Sequence, residues 1–186
     1  MNVAVFMGSR FGKNKMHKIN AKKLGKTLAL NDHMLIYGGS VSGLMGTVAK
    51  SVKKYDGKVT GIYPKGHFED EKPLYDIDFF IEVDNMDDRK RKLIDLADAY
   101  VILPGGTGTL EEFAQLLCEM MINITPWRPI FILNEDGFYN GLASQLYTFI
   151  HEGFSYENEK LAKNIFICDT IDILQEKIEG LSWNKF

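Results

Sequence analysis

The sequence predicts an α/β fold, a doubly wound domain with a mainly parallel sheet covered by helices on both faces. Three observations predict it. Short β-branched or aromatic runs alternate with amphipathic stretches along the chain. Glycine turns, at Gly38-Gly39 and Pro104-Gly105-Gly106, fall where a strand-like run hands over to a helical one. No repeat, low-complexity tract or Pro/Ser-rich linker divides the 186 residues, so 1–186 reads as one domain. Alternation of this kind builds βαβ units, and their crossovers make neighbouring strands parallel.

The chain opens with a strand at Asn2–Met7, ended by Gly8, and a helix at Met16–Leu30. A second strand, Met34–Tyr37, stops at Gly38 and leads to a helix at Leu44–Lys54. The third and fourth strands, Val59–Tyr63 and Phe79–Val83, precede a helix at Met86–Ala97. Tyr100–Leu103 stops at Pro104 and is followed by the helical stretch Leu110–Ile122. Ile130–Leu133 lies between Pro129 and Asn134, with a helix after it at Tyr139–His151. These six strands read as buried, because they are short, apolar and bounded by Gly, Pro or Asn. A weaker seventh run, Ile165–Cys168, comes before a last helix at Ile171–Ile178.

Composition narrows the function. Hydrophobic residues are 45% and charged residues 25%, enough for a core without disulfide staples. Lys+Arg is 22 against Asp+Glu 25, a balance that gives no support to a nucleic-acid binder. Cys118 and Cys168 form neither a CxxC pair nor a disulfide framework. His17, His33, His67 and His151 show no metal-ligand spacing, so no metal is expected. The six-residue apolar run near the N-terminus is too short for a signal peptide or a membrane span. A soluble cytoplasmic protein with no membrane partner is expected.

In open α/β sheets, ligands bind beyond the carboxyl ends of the strands. Three glycine-containing turns occupy that edge: Gly8-Ser9-Arg10, Gly38-Gly39-Ser40 through Gly46, and Pro104 to Thr109. The richest is Leu103-Pro104-Gly105-Gly106-Thr107-Gly108-Thr109-Leu110-Glu111-Glu112. Its glycines let backbone approach a ligand and leave N–H groups free at a helix start, which suits a phosphate. It lacks the lysine of an NTPase loop, and Glu111 stands where GxGxxG would have its third glycine. A glycine turn with acidic residues complementing the helix dipole would account for the segment without any ligand. The stretch Met86-Asp87-Asp88-Arg89-Lys90-Arg91-Lys92 reads first as a solvated helix face. Arg89 and Lys90, however, fall in the first turn, where the dipole disfavours cations; a nearby phosphate or carboxylate would explain them. In the third segment, Gly43 and Gly46 permit tight helix–sheet packing, and Ser40 or Ser42 could cap the helix.

Together and in this order, the segments resemble the Lonely Guy family of cytokinin riboside 5′-monophosphate phosphoribohydrolases, often mislabelled as lysine decarboxylases. The matching signatures are PGGxGTxxE at Pro104 to Glu112 and MxxRK at Met86 to Lys90. The Gly8-Ser9 turn, the stretch from Tyr37 to Gly46, the PxxxLNxxGxY pattern from Pro129 to Tyr139, and the EGF at Glu152–Phe154 agree with them. The resemblance implies a Rossmann-like fold, a nucleoside 5′-monophosphate substrate, and hydrolysis to free base and ribose 5-phosphate. It needs no cofactor. It puts substrate contacts at Glu71, Arg89, Lys90 and the loop from Gly106 to Glu112; the glycine turns add Gly105, Gly8, Ser9 and Gly39. Two departures bear on base preference: Thr107 stands where many relatives have Tyr, and Cys118 where Thr is common.

Cleaving a ribosyl N-glycosidic bond passes through an oxocarbenium-like state and calls for a carboxylate near the anomeric carbon. Glu112 is the first choice and Glu111 the second. They lie about 100° apart on a helix, so one of them faces the ribose. Arg89 would hold the phosphate or the ribose hydroxyls, with Lys90 in support. The alternative keeps the fold and drops catalysis, giving a nucleotide-binding or molybdenum-cofactor carrier-like protein. A homodimer is also expected. Apolar residues from Leu110 to Ile122 cover an arc of roughly 240°, far wider than the stripe of about 100° that one sheet face needs. Burial under the C-terminal helices of the same chain would serve equally, and relatives implied by the resemblance are dimers.

Overall fold

The computed structural model describes residues 1–66, 71–155 and 158–181. Its strands are β1 (Asn2–Phe6), β2 (Met34–Tyr37), β3 (Val59–Pro64), β4 (Phe79–Val83), β5 (Ala99–Ile102), β6 (Ile130–Leu133) and β7 (Ile165–Cys168). Its helices are α1 (Lys15–Leu30), α2 (Gly43–Lys54), α3 (Met86–Asp95), α4 (Thr107–Met121), α5 (Asn140–His151), α6 (Asn158–Asn164) and α7 (Ile171–Glu179). The strands form one sheet in the order β4-β3-β2-β1-β5-β6-β7, with every pairing parallel.

Period-two alternation divides the core into two layers. Val3 and Val5 of β1 face Leu24, Val48 and Leu174 of α1, α2 and α7. Ala4 and Phe6 face Leu93 of α3, Phe113 and Leu116 of α4, and Leu161 of α6. Each such buried Val, Leu or Phe side chain contributes about 1.5–3 kcal/mol. The chain winds outward from β1 in one direction to β4 and in the other through β5 to β7. Phe6 pairs with Ile102, so the turns that follow β1 and β5 emerge side by side. That is the topological switch point, where a doubly wound sheet opens a crevice.

The structure differs from the sequence reading in several places. β4 is not a buried strand: among the described residues it pairs with β3 alone, and Phe79 and Glu82 are exposed. α4 begins at Thr107 rather than Leu110, because Gly106 takes the N-cap position and the Thr-Gly-Thr stretch is already wound. α3 ends at Asp95, two residues before the expected boundary. The short α6 and a 3₁₀ turn at Glu135–Gly137 had no periodic signal. Ser42 is the N-cap of α2 but makes no side-chain cap bond; Ser40 Oγ instead accepts from the Ser42 N–H at 3.0 Å. Among the described residues, no helix is long and apolar enough to cross a membrane.

Candidate active site

At the switch point the turns after β1 and β5 are in contact. The Gly8 N–H donates to the Pro104 carbonyl at 3.2 Å. A Cβ on Gly105 would lie 2.1 Å from Thr109 Oγ1 and 3.0 Å from Gly8 N, so only a bare Cα lets the two loops and the first turn of α4 close together. Gly43 has φ +51°, and a Cβ there would lie 2.3 Å from the Ser9 carbonyl. These approaches leave a cavity of about 830 Å³ above the strand ends, within the range of small-ligand sites.

One border of the cavity is the start of α4, where no side chain caps Gly106. Added Cβ atoms on Gly106 and Gly108 would meet nothing within 4 Å, so a ligand can approach this backbone closely. Helix N–H groups and the positive end of the dipole make it a fitting place for a phosphate.

Arg89 forms the cationic part of the floor. α3 starts at the N-cap Asn85, whose side chain accepts from the Asp88 N–H at 2.9 Å, with Asp87 and Asp88 in the first turn. Arg89 escapes the dipole by turning inward. Its Nε donates to the Ile62 carbonyl and its Nη2 to the Gly38 carbonyl, each at 3.2 Å. A Cβ on Gly38 would lie 1.7 Å from Nη2, so that glycine makes the room for the guanidinium. The remaining nitrogen, Nη1, lies 3.5 Å from Glu112 Oε1. Both side chains are enclosed, at 7% and 13% exposure.

Burial disfavours the charged form of Glu112 and pushes its carboxyl up to about 7; Arg89 opposes the rise and Glu111 adds to it. A carboxyl poised near neutrality at the floor of a cavity is suited to acid–base work. Glu111 is placed otherwise. It is 61% exposed and accepts from Lys90 Nζ at 2.7 Å. That bond holds the Lys90 ammonium above its usual range, and Asp87 at 3.1 Å adds to the effect.

Of the residues singled out from sequence, the cavity wall contains Gly8, Ser9, Glu71, Arg89, Gly105, Gly106, Thr107, Gly108, Thr109 and Glu112. Glu71 arrives on a segment pinned to the turn after β2. The Val41 N–H donates to the Lys72 carbonyl, the Leu74 N–H to the Gly39 carbonyl, and the Tyr63 hydroxyl to the Glu71 carbonyl at 2.6 Å. Its acidic neighbours Glu69 and Asp70, like His67, lie outside the described residues. Five residues do not line the cavity. Glu111 and Lys90 pair outside it. Leu110 and Cys118 are exposed on the outer face of α4. Gly39, at φ +75°, shapes the turn from behind, where a Cβ would press on Tyr63 and Ile62 at 3.1–3.2 Å.

The cavity also has residues that the sequence does not single out: Phe11 to Asn14, His17 and Phe138, besides Arg10 and Met86, which stand in the Gly8 turn and the MxxRK signature without an assigned contact. A positional signal existed for the first group, since residues directly after the first strand of a doubly wound sheet reach the ligand crevice. Phe138 carried no such signal. Among the described residues, no cluster of His, Cys, Asp or Glu could hold a metal ion.

A family model described as "Possible lysine decarboxylase" matches residues 45–178. The chain is 35% identical over 180 residues to "Probable cytokinin riboside 5′-monophosphate phosphoribohydrolase LOGL2" of Oryza sativa subsp. japonica, covering 97% of this chain and 72% of the relative. It is 35% identical over 181 residues to "Cytokinin riboside 5′-monophosphate phosphoribohydrolase LOG4" of Arabidopsis thaliana, covering 97% and 82%. Among solved structures, the molybdenum cofactor binding protein of Rippkaea orientalis matches with a TM-score of 0.70 and 23% identity, covering 96% of this chain and 95% of that one. That likeness bears on the fold alone.

Proposed function

From the premise that the chain belongs to the Lonely Guy family, that of the cytokinin riboside 5′-monophosphate phosphoribohydrolases, we propose that it hydrolyses the N-glycosidic bond of a nucleoside 5′-monophosphate. The observation that carries the reading is the enclosed Arg89–Glu112 pair beside the uncapped start of α4. The α4 backbone and Thr107 receive the 5′-phosphate, and phosphate binding energy orients the ribose. Glu112 as carboxylate orients water and takes its proton while the bond from the anomeric carbon to the base nitrogen breaks. Water oxygen ends on the sugar, giving ribose 5-phosphate, and the proton that Glu112 has taken passes through solvent to the leaving base nitrogen, which returns Glu112 to the carboxylate. Arg89 holds the phosphate or the ribose hydroxyls and keeps Glu112 ionisable near neutral pH. A carrier needs phosphate donors but gains nothing from a buried carboxylate, which favours the enzyme. The test is incubation with AMP, an N6-substituted AMP and adenosine. Free base is expected from the nucleotides and not from the nucleoside; equal turnover of AMP and adenosine sinks the reading.

The working form we propose is a cytoplasmic homodimer. The exposed free thiol of Cys118 suits a reducing compartment. On α4, Phe113, Leu116, Leu117 and Met120 are buried within the chain, while Leu110, Ala114, Cys118 and Ile122 form an exposed stripe. The C-terminal helices of the chain leave that stripe uncovered. α5 has no fully buried residue, and Tyr147, Phe149, Phe154 and Ile124 add exposed apolar surface elsewhere on the chain. A patch of this kind marks an association surface, and an isologous contact covers it twice over. Light scattering coupled to size exclusion tests it: a particle of single-chain mass at micromolar concentration refutes the dimer.

A further inference from the structure

The chemistry proposed above uses the start of α4 and the Arg89–Glu112 floor, and it leaves one wall of the cavity without a task. Two phenylalanines on that wall, Phe11 and Phe138, are 44% and 46% exposed. Large apolar rings left half in water beside a cavity are unfavourable until something covers them.

The wall is built firmly. His17 packs edge-on against Phe138 at 5.6 Å between ring centroids, and Tyr139 does so at 4.8 Å. Lys18 Nζ lies 4.6 Å from the centroid of the Phe11 ring. The two segments are tied across the chain: Asn14 Nδ2 donates to the Asp136 carboxylate at 2.8 Å, and the buried Asn20 donates to Glu135. Gly12, at φ +69°, lets the loop pass against His17, where a Cβ would lie 2.9 Å from the ring. A mobile loop would have no use for these constraints; a surface that must present two rings in fixed poses does.

We infer that Phe11 and Phe138 form the base-recognition wall of the cavity, offering ring surface to the planar heteroaromatic base of the nucleotide. The inference rests on the nucleotide reading above. With phosphate and ribose held by the polar side of the cavity, the remaining part of a nucleoside monophosphate is a flat heterocycle, which aromatic surfaces bind by its π-face. Asn14, the neutral amide on this wall, already engages both its ends. Its Oδ1 accepts from the Met16 N–H at 2.9 Å and its Nδ2 serves Asp136, so it contributes rigidity and not base-edge readout.

The experiment measures dissociation constants for AMP and for ribose 5-phosphate in the Glu112→Gln background, where AMP persists. Phe11→Ala and Phe138→Ala should each weaken AMP about five- to one-hundredfold, the usual range for losing a stacking ring. Ribose 5-phosphate affinity should stay within about twofold, which also reports an intact fold. Phe138→Trp should restore AMP binding, with indole fluorescence quenched by AMP but not by ribose 5-phosphate. Equal losses for both ligands, or undiminished AMP binding in both alanine variants, overturn the wall. So does a parent protein that binds AMP no better than ribose 5-phosphate, an outcome that leaves the nucleotide reading standing. Binding of neither ligand to the parent protein overturns that reading itself, and this inference with it.

Discussion

Replacing Glu112 by Gln separates two consequences of enclosing a carboxyl beside Arg89, one for catalysis and one for stability. With the group pushed up to about 7, a mechanism that needs the carboxylate gives kcat/KM rising with pH to a plateau above neutrality. At pH 5.5 about 3% of the group is ionised, so activity should stand about thirtyfold below the plateau. Stability runs the opposite way. The unfolded chain loses this proton near the ordinary 4.5 and the folded chain keeps it to about 7. Between those values the folded state binds more protons, so stability falls as pH rises through the window. The difference amounts to at most about 3 kcal/mol. Gln mimics the neutral acid and escapes that penalty. The variant should lose about 10²–10⁴-fold in kcat together with its pH limb. At pH 8 it should melt higher than wild type by up to about 6–12 °C, with the gap closing near pH 4.5. A pH-rate assay and melting curves at the two pH values check it. A flat wild-type profile from pH 5.5 to 8, with Glu112→Gln active within tenfold, refutes the reasoning; a dead Glu111→Gln beside an active Glu112→Gln exchanges the two roles.

Arg89→Ala should impair nucleotide binding and turnover together. It also removes the attraction that holds Glu112 down, so any residual activity should show its pH limb moved above 7 in the same assay. Gly38→Ala forces a methyl into the guanidinium of Arg89 and should cost about 1–3 kcal/mol, seen as a melting point about 2–12 °C lower. Gly106→Ala, with open space at its Cβ, should melt within about 2 °C of wild type. Ile122→Arg should split the proposed dimer, leaving single-chain mass by light scattering, and reduce turnover. Leu117→Arg is unsuited to that purpose, since Leu117 is buried within the chain and its replacement would report on the fold.

The order of strands and helices was legible because each central strand is an apolar run cut off by Gly, Pro or Asn, a signal contained within a few residues. What depended on distant partners was not. Phe79-Phe80-Ile81 looks as buried as any run in the chain, but whether a strand lies at the edge is decided by what fails to pair with it. The wide apolar arc of α4 showed surplus surface without showing which side met the sheet. The structure divides it into Phe113, Leu116, Leu117 and Met120 inward and Leu110, Ala114, Cys118 and Ile122 outward. Gly38 gave no sign of its role either, because the guanidinium it admits belongs to a residue 51 positions away.

The basic run of α3 shows how far such distant contacts can change a reading. Four cations in a row suggest a solvated helix face, yet three consecutive ones each find a carboxylate on α4. Arg89 lies 3.5 Å from Glu112, Lys90 2.7 Å from Glu111, and Arg91 2.5 Å from Glu119. Arg91 also reaches Asp95 at 2.7 Å and Thr125 Oγ1 at 3.2 Å, while Glu119 accepts from Gln115 and Thr125. Of the three pairs, only the first lines the cavity. The two outer pairs constrain how α3 and α4 are rotated against each other, and that rotation puts Glu112 over Arg89 and leaves Glu111 outside. A sequence shows two adjacent glutamates about 100° apart; the lysine and arginine across the helix interface are what choose between them.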